Sequence, residues 1–122
     1  MASIIEDEVI TPKDRRIVSG ILWKRIKIGM PLQVDAPFRY LDGKGTFDLT
    51  TDDLATSSPY NTYKYRGLPP TPIGSPGLDS ILAAIYPEKT DYLYFVSDKK
   101  GKIYYAKTFE EHQTNRELYL GK

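Results

Sequence analysis

The sequence contains no cysteine. That one absence excludes disulfides, thiolate metal sites and cysteine nucleophiles. Histidine is nearly missing as well: His112 stands alone, which argues against a histidine-built metal site and against a Ser-His-Asp triad. No apolar run approaches the roughly 20 residues of a membrane-spanning helix, and residues 1–10 lack the basic-then-apolar order of a signal peptide. An excess of one charge is absent too. Seventeen basic residues oppose sixteen acidic ones, for a formal net charge of +1, so no global field announces nucleic acid or an acidic membrane surface. Partners must be sought at local sites.

What is present fits a single domain. With 122 residues, 40% hydrophobic and 27% charged, the chain can bury one core and has no room for a second. Ten tyrosines pair large apolar rings with polar tips, a chemistry suited to carbohydrate and peptide surfaces as well as to half-buried strands. Between Ser58 and Gly77 lie five prolines and three glycines, which interrupt any regular element. Tyr60, Asn61, Thr62 and Tyr63 add aromatic faces with amide and hydroxyl groups. A loop of this composition holds one shape and reads as a ligand wall.

Helical signals surround it. Ala2 to Ile10 reads as the end of a helix. Thr11 caps the next one, with Pro12 at its first position and Asp14 three residues after the cap. Ile17, Val18, Ile21, Leu22 and Ile26 recur at helical spacing until Gly29. The basic residues Lys13, Arg15, Arg16, Lys24, Arg25 and Lys27 occupy the other face and are expected to be its solvated side. Met30 to Tyr40 reads as extended, with Leu32 and Val34 alternating against Gln33 and Asp35. Asp42-Gly43-Lys44-Gly45 marks a turn, and Thr50 or Thr51 starts a short helix through Leu54. Ser75 with Pro76 opens a third helix, which Pro87 stops. Tyr92 to Val96 and a strand through Tyr104 and Tyr105 make a hairpin around Asp98 to Gly101, and Thr108 with Glu111 caps a last helix. Helices and strands fall in separate blocks. The expected fold is therefore α+β: an N-terminal helical part, a Pro/Gly-rich loop, a β-hairpin and a C-terminal helix.

Three adjacent acids, Glu6, Asp7 and Glu8, sit on the first helix, about 100° apart around its axis. Asp7 shares its stripe with Ser3 and Thr11. Glu6 lies beside Ile5 and Val9, and Glu8 lies in line with Ile4, so periodicity sets Asp7 aside and leaves both glutamates open. A glutamate among aliphatic side chains loses solvation, which raises its pKa towards the range of a general acid. A proton donor of that kind is what cleavage of a glycosidic bond requires. His112, one turn after Phe109, reads as a structural or surface histidine, and no phosphate-cradling glycine pattern follows a strand.

Several blocks in register carry a resemblance. Ala2-Ser3-Ile4-Ile5-Glu6, Arg25-Ile26-Lys27-Ile28-Gly29-Met30-Pro31-Leu32-Gln33-Val34-Asp35, Ser58-Pro59-Tyr60-Asn61-Thr62-Tyr63, Gly67-Leu68-Pro69-Pro70 and Ser75-Pro76-Gly77 resemble the endolytic murein transglycosylases of the MltG or YceG-like family. The match continues through Tyr92 to Val96 and Thr108 to His112. The resemblance implies that residues 1–122 are the catalytic domain, which follows a membrane span and a small LysM-like domain in family members. It implies cleavage of the β-1,4 bond between N-acetylmuramic acid and N-acetylglucosamine at the extracytoplasmic face of the bacterial membrane, leaving 1,6-anhydro ends. It also implies catalysis by Glu6 as acid and then base, with no cofactor and no metal. The partners expected are peptidoglycan strands and cell-wall synthesis proteins, and no nucleic acid. Given that substrate, Asn61, Thr62 and Tyr63 are candidates to bind the sugar, with Gln33 and Asp35 on an opposite wall. Loop-fixing hydrogen bonds are the alternative for Gln33, Asp35 and Asn61. Two rival functions remain at this level: a non-catalytic glycan-binding scaffold, and a hydrolytic muramidase with Asp35 as a second acid.

Overall fold

The computed structural model describes residues 1–43 and 49–120. Its elements run α1 (Ala2–Glu8), α2 (Pro12–Ile28), α3 (Ala36–Asp42), α4 (Thr51–Leu54), α5 (Leu78–Ile85), β1 (Tyr94–Ser97), β2 (Ile103–Ala106) and α6 (Phe109–Leu120). This is the α+β order expected from the sequence.

Local chemistry sets the long helix. Thr11 Oγ1 accepts the Asp14 N–H at 3.2 Å, Pro12 occupies the first turn, and Gly29 closes the end in the left-handed region at φ 77°. The basic face is not simply solvated. Arg25 is 3% exposed, and Arg15, Arg16 and Lys24 donate to the carbonyls of Val9, Tyr86 and Tyr92. Long side chains that carry donors at their tips can clamp neighbouring carbonyls while their stems pack. Trp23 Nε1 on Ala84 O at 3.0 Å and Arg16 on Tyr86 O dock α2 against the end of α5.

Two expectations shift. Residues 36–42 form α3 instead of continuing an extended segment. The third helix starts at Leu78 behind Gly77 and not at Pro76. Lys44 and Gly45, of the turn expected after α3, lie outside the described residues, whereas Gly43 ends α3 at φ 78°. The hairpin pairs Tyr94 with Ala106 and Ser97 with Ile103 in antiparallel register. Asp98 Oδ1 fixes its turn by accepting from Lys100 and Lys102 N–H.

The core gathers Ile4 and Ile5 of α1, Val9 just after it, Val18 and Leu22 of α2, Leu32, Val34, Ile73, Ala83 and Ile103. Helix α1 is seven residues long, too short to persist alone. Burial of Ile4 and Ile5, 1% and 0% exposed and each contributing about 1.5–3 kcal/mol, fixes its rotation. That rotation decides where its three acids point.

Candidate functional site

The three acids of α1 meet different surroundings. Asp7 is exposed. Glu6 turns towards α5, where its Oε1 accepts from Gly77 N–H at 2.7 Å and Ser80 Oγ at 3.0 Å. Its Oε2 pairs with Arg15 at 3.0 Å. The Gly77 amide, then Ser80, then the Arg15 cation hold this carboxyl below the usual glutamate range. Glu6 is thus a charged cap and strut. A side chain on Gly77 would meet it, since an added Cβ would stand 3.3 Å from Oε1.

Glu8 turns the other way and forms the wall of a cavity of about 370 Å³. Its Oε1 accepts the backbone N–H groups of Asp35 and Ala36 at 3.1 and 2.9 Å, so Glu8 caps α3 from a distant part of the chain. Both donors address Oε1, and Oε2 is the oxygen left for a ligand. Desolvation first, and then the neighbouring Asp35 carboxylate, push Glu8 up to about 7 despite those two bonds. The raised pKa expected of a glutamate beside the apolar stripe therefore belongs to Glu8, and Glu6 shows the opposite shift.

Beside Glu8 the segment 32–35 is held in an unusual shape. Gln33 is exposed to the cavity and has φ 55°, in the left-handed region that ordinarily favours glycine. Thr62 holds the adjoining backbone: its Oγ1 accepts Val34 N–H at 3.0 Å and donates to Val34 O at 2.9 Å, and its carbonyl accepts Gln33 N–H. Arg25 holds it from the other side, donating to Leu93 O, Pro31 O and Leu32 O. Burial lowers this guanidinium to about 10, which leaves it charged at neutral pH. Tyr63 lines the cavity and donates its hydroxyl to Asp35 in a short bond. Burial and the Asp35 carboxylate both raise the phenol, so it stays protonated.

Of the five residues proposed to bind sugar, Gln33, Asp35 and Tyr63 come together with Glu8 at the cavity. Asn61 and Thr62 do not. They are 0% and 2% exposed, and Asn61 spends its amide on Leu54 O and Thr56 O while its Oδ1 takes Tyr63 N–H. The loop-fixing alternative describes Asn61, and the loop acts as a brace behind the wall with Tyr63 as its one side chain at the cavity.

The third wall comes from α6. Phe109, His112, Arg116 and Leu120 all line the cavity, on one helical stripe. His112 stacks on Tyr94 with ring centroids 5.1 Å apart, and its Nδ1 is buried without a partner. Burial, reinforced by Arg116 and Arg25, lowers the imidazole to about 4, so it is neutral at pH 7. The structural reading of His112 agrees with that stack, and its side chain also lines the cavity. The 109, 112, 116, 120 spacing is the signal that marks the face. Among the described residues no group of three or more His, Asp or Glu is arranged to hold a metal ion.

The chain matches known proteins along nearly all its length. The sequence model of the YceG-like family covers residues 1–118. An endolytic murein transglycosylase of Bacillus subtilis is 42% identical over 120 residues, which are 98% of this chain and 33% of that protein. One from Streptococcus pneumoniae is 40% identical over 121 residues, 94% of this chain and 22% of its own length. The crystal structure of a YceG-like protein from Listeria monocytogenes superposes with a TM-score of 0.85 at 46% identity, covering 93% of this chain and 38% of that one. The chain thus spans a third or less of the length of these curated relatives. Sequence blocks and fold agree, and the chain belongs to the YceG-like family.

Proposed function

We propose that this domain is a peptidoglycan lytic transglycosylase whose general acid is Glu8. The observation that carries the reading is a carboxyl raised to about 7 at the wall of an open cavity, beside polar groups able to hold a sugar. The names of the B. subtilis and S. pneumoniae relatives support the substrate class. Their activity as whole proteins reaches this chain as part of the proposal.

Glu8 protonates the oxygen of the β-1,4 bond between N-acetylmuramic acid and N-acetylglucosamine as its bond to C1 breaks. The carboxylate so formed takes the proton of the sugar's own C6 hydroxyl while that oxygen bonds to C1. A 1,6-anhydro end results and Glu8 is again protonated, with no water consumed. Because the nucleophile is tethered to the reacting carbon, the step gains the advantage of an intramolecular reaction and needs no second acid to activate water. A pKa near 7 suits a group that must both give and take a proton at neutral pH.

Glu6, which the resemblance favoured as the acid, serves this reading as the strut between α1 and α5. A carboxyl held low by three donors is a poor proton donor. A peptidoglycan substrate supports action at the extracytoplasmic face of the membrane. Digestion of purified peptidoglycan followed by fragment mass analysis tests the proposal. Anhydro ends support it. Reducing ends would assign hydrolysis with Asp35 as second acid, and binding without fragments would assign a scaffold.

A further inference from the structure

The cavity has charge of opposite sign on its two sides. Glu8 and Asp35 stand on one wall, and Arg116 stands on the α6 wall. Among the described residues the Arg116 guanidinium makes one hydrogen bond, from NH1 to the neutral Gln113 Oε1 at 2.9 Å. Among the described residues no carboxylate pairs with Arg116, whereas Arg15 pairs with Glu6. Arg25, the other cation at the cavity, is tied to three backbone carbonyls. One helical turn before Arg116, His112 is locked by its stack on Tyr94 and carries a shielded, unpartnered Nδ1. Nε2 is the ring nitrogen left to address a ligand.

We propose that Arg116, with His112 beside it, forms a subsite for the carboxylate of a muramyl lactyl group, the substituent that distinguishes muramic acid from glucosamine. A planar guanidinium with free N–H groups matches a carboxylate, and a neutral imidazole adds a donor without adding charge. The acidic wall repels the same group, so the sugar is oriented with its lactyl arm towards α6 and the glycosidic oxygen towards Glu8. An amide-linked lactyl carbonyl, as in strands bearing peptides, makes the weaker uncharged version of the contact.

This inference rests on the cavity accepting the glycan as proposed above, and its test reads binding alone. The protein is titrated near neutral pH, with amide resonances followed by NMR, against N-acetylmuramic acid, its methyl ester, N-acetylglucosamine and a free stem peptide. The expected result is perturbation of cavity resonances, with the acid binding about tenfold more tightly than ester or glucosamine. Arg116→Gln should bring the acid to the level of the ester, and Arg116→Lys should restore part of the difference. Equal binding of acid and ester, no binding of either, an equal loss of both in Arg116→Gln, or an Arg116-dependent peptide that displaces the sugar would each overturn the subsite. Failure of the two ideas is separable. Arg116-dependent binding without anhydro ends overturns the transglycosylase reading alone, whereas anhydro ends with equal binding of acid and ester overturn the subsite alone.

Discussion

At the scale of single residues, two glutamates one position apart differ by what their carboxyls meet. Glu6 faces three donors and Glu8 faces burial and a like charge. The sign of each shift predicts a pH response. A proton donor with a pKa of about 7 loses its active form above that value, so kcat/KM for cleavage should fall about tenfold per pH unit above about pH 7. Its folded value lies above its unfolded one, so between about pH 4.5 and 7 the folded state binds more protons and stability falls as pH rises. Glu6 behaves oppositely: its contribution is present above the ordinary glutamate value and lost on acidification. Urea titrations at several pH values, with Glu8→Gln as reference, check the sign, because that variant should lack the decline.

Gln33 offers a second test at this scale. A side chain at φ 55° carries strain of about 1–2 kcal/mol that glycine relieves, partly offset by glycine's greater freedom when unfolded. Gln33→Gly should therefore leave stability unchanged or raise it by up to about 1 kcal/mol in urea melts, while slowing cleavage about tenfold or more. Loss of stability without loss of activity would make Gln33 a structural residue. Legibility at this scale was partial. Helical periodicity narrowed three acids to two, but the choice between Glu6 and Glu8 turns on which distant N–H groups each accepts, Gly77 or Asp35 and Ala36. Arg15 is the one such partner near in sequence, and the N–H groups come from at least 27 residues away.

At the scale of elements, helices that carry their own caps were readable and helices capped from elsewhere were not. Thr11, Thr50 and Thr108 each accept the N–H three residues on, and α2, α4 and α6 begin where those threonines predict. The starts of α3 and α5 escaped because Glu8 and Glu6 supply their acceptors through space. The cavity face of α6 was present in the spacing of Phe109, His112, Arg116 and Leu120, yet it acquires meaning only when the hairpin folds that helix against Gln33 and Glu8. The brace formed by Thr62 predicts its own response. Thr62→Val keeps the shape but strands the buried Val34 N–H and C=O, which should cost about 2–4 kcal/mol in urea denaturation. An equal loss of activity per folded molecule would follow from a displaced Gln33. A variant as stable as the parent would contradict the bracing role.

At the scale of the whole molecule, the site exists because α1, segment 32–35, the Tyr63 loop and α6 are pressed together by a core that the aliphatic residues did announce. One close approach supports that packing. A Cβ on Gly20 would stand 2.0 Å from Glu88 O, and Glu88 N–H bonds Arg16 O at 3.0 Å. Gly20→Ala should push α2 from the chain after α5 and lower stability by about 1–3 kcal/mol, measured as a reduced urea midpoint. An unchanged midpoint would show that this junction yields freely.

The proposed transglycosylase reaction requires that Glu8, and not Glu6, moves the proton. Glu8→Gln and Glu6→Gln should be compared on purified peptidoglycan, with anhydro ends counted by mass spectrometry per molecule of protein shown to be folded by circular dichroism. Glu8→Gln should lose cleavage by about 10²–10⁴-fold while remaining folded, and Glu6→Gln should retain measurable cleavage with a lower melting temperature. Full loss in Glu6→Gln with a normal melting temperature, alongside an active Glu8→Gln, would contradict that requirement.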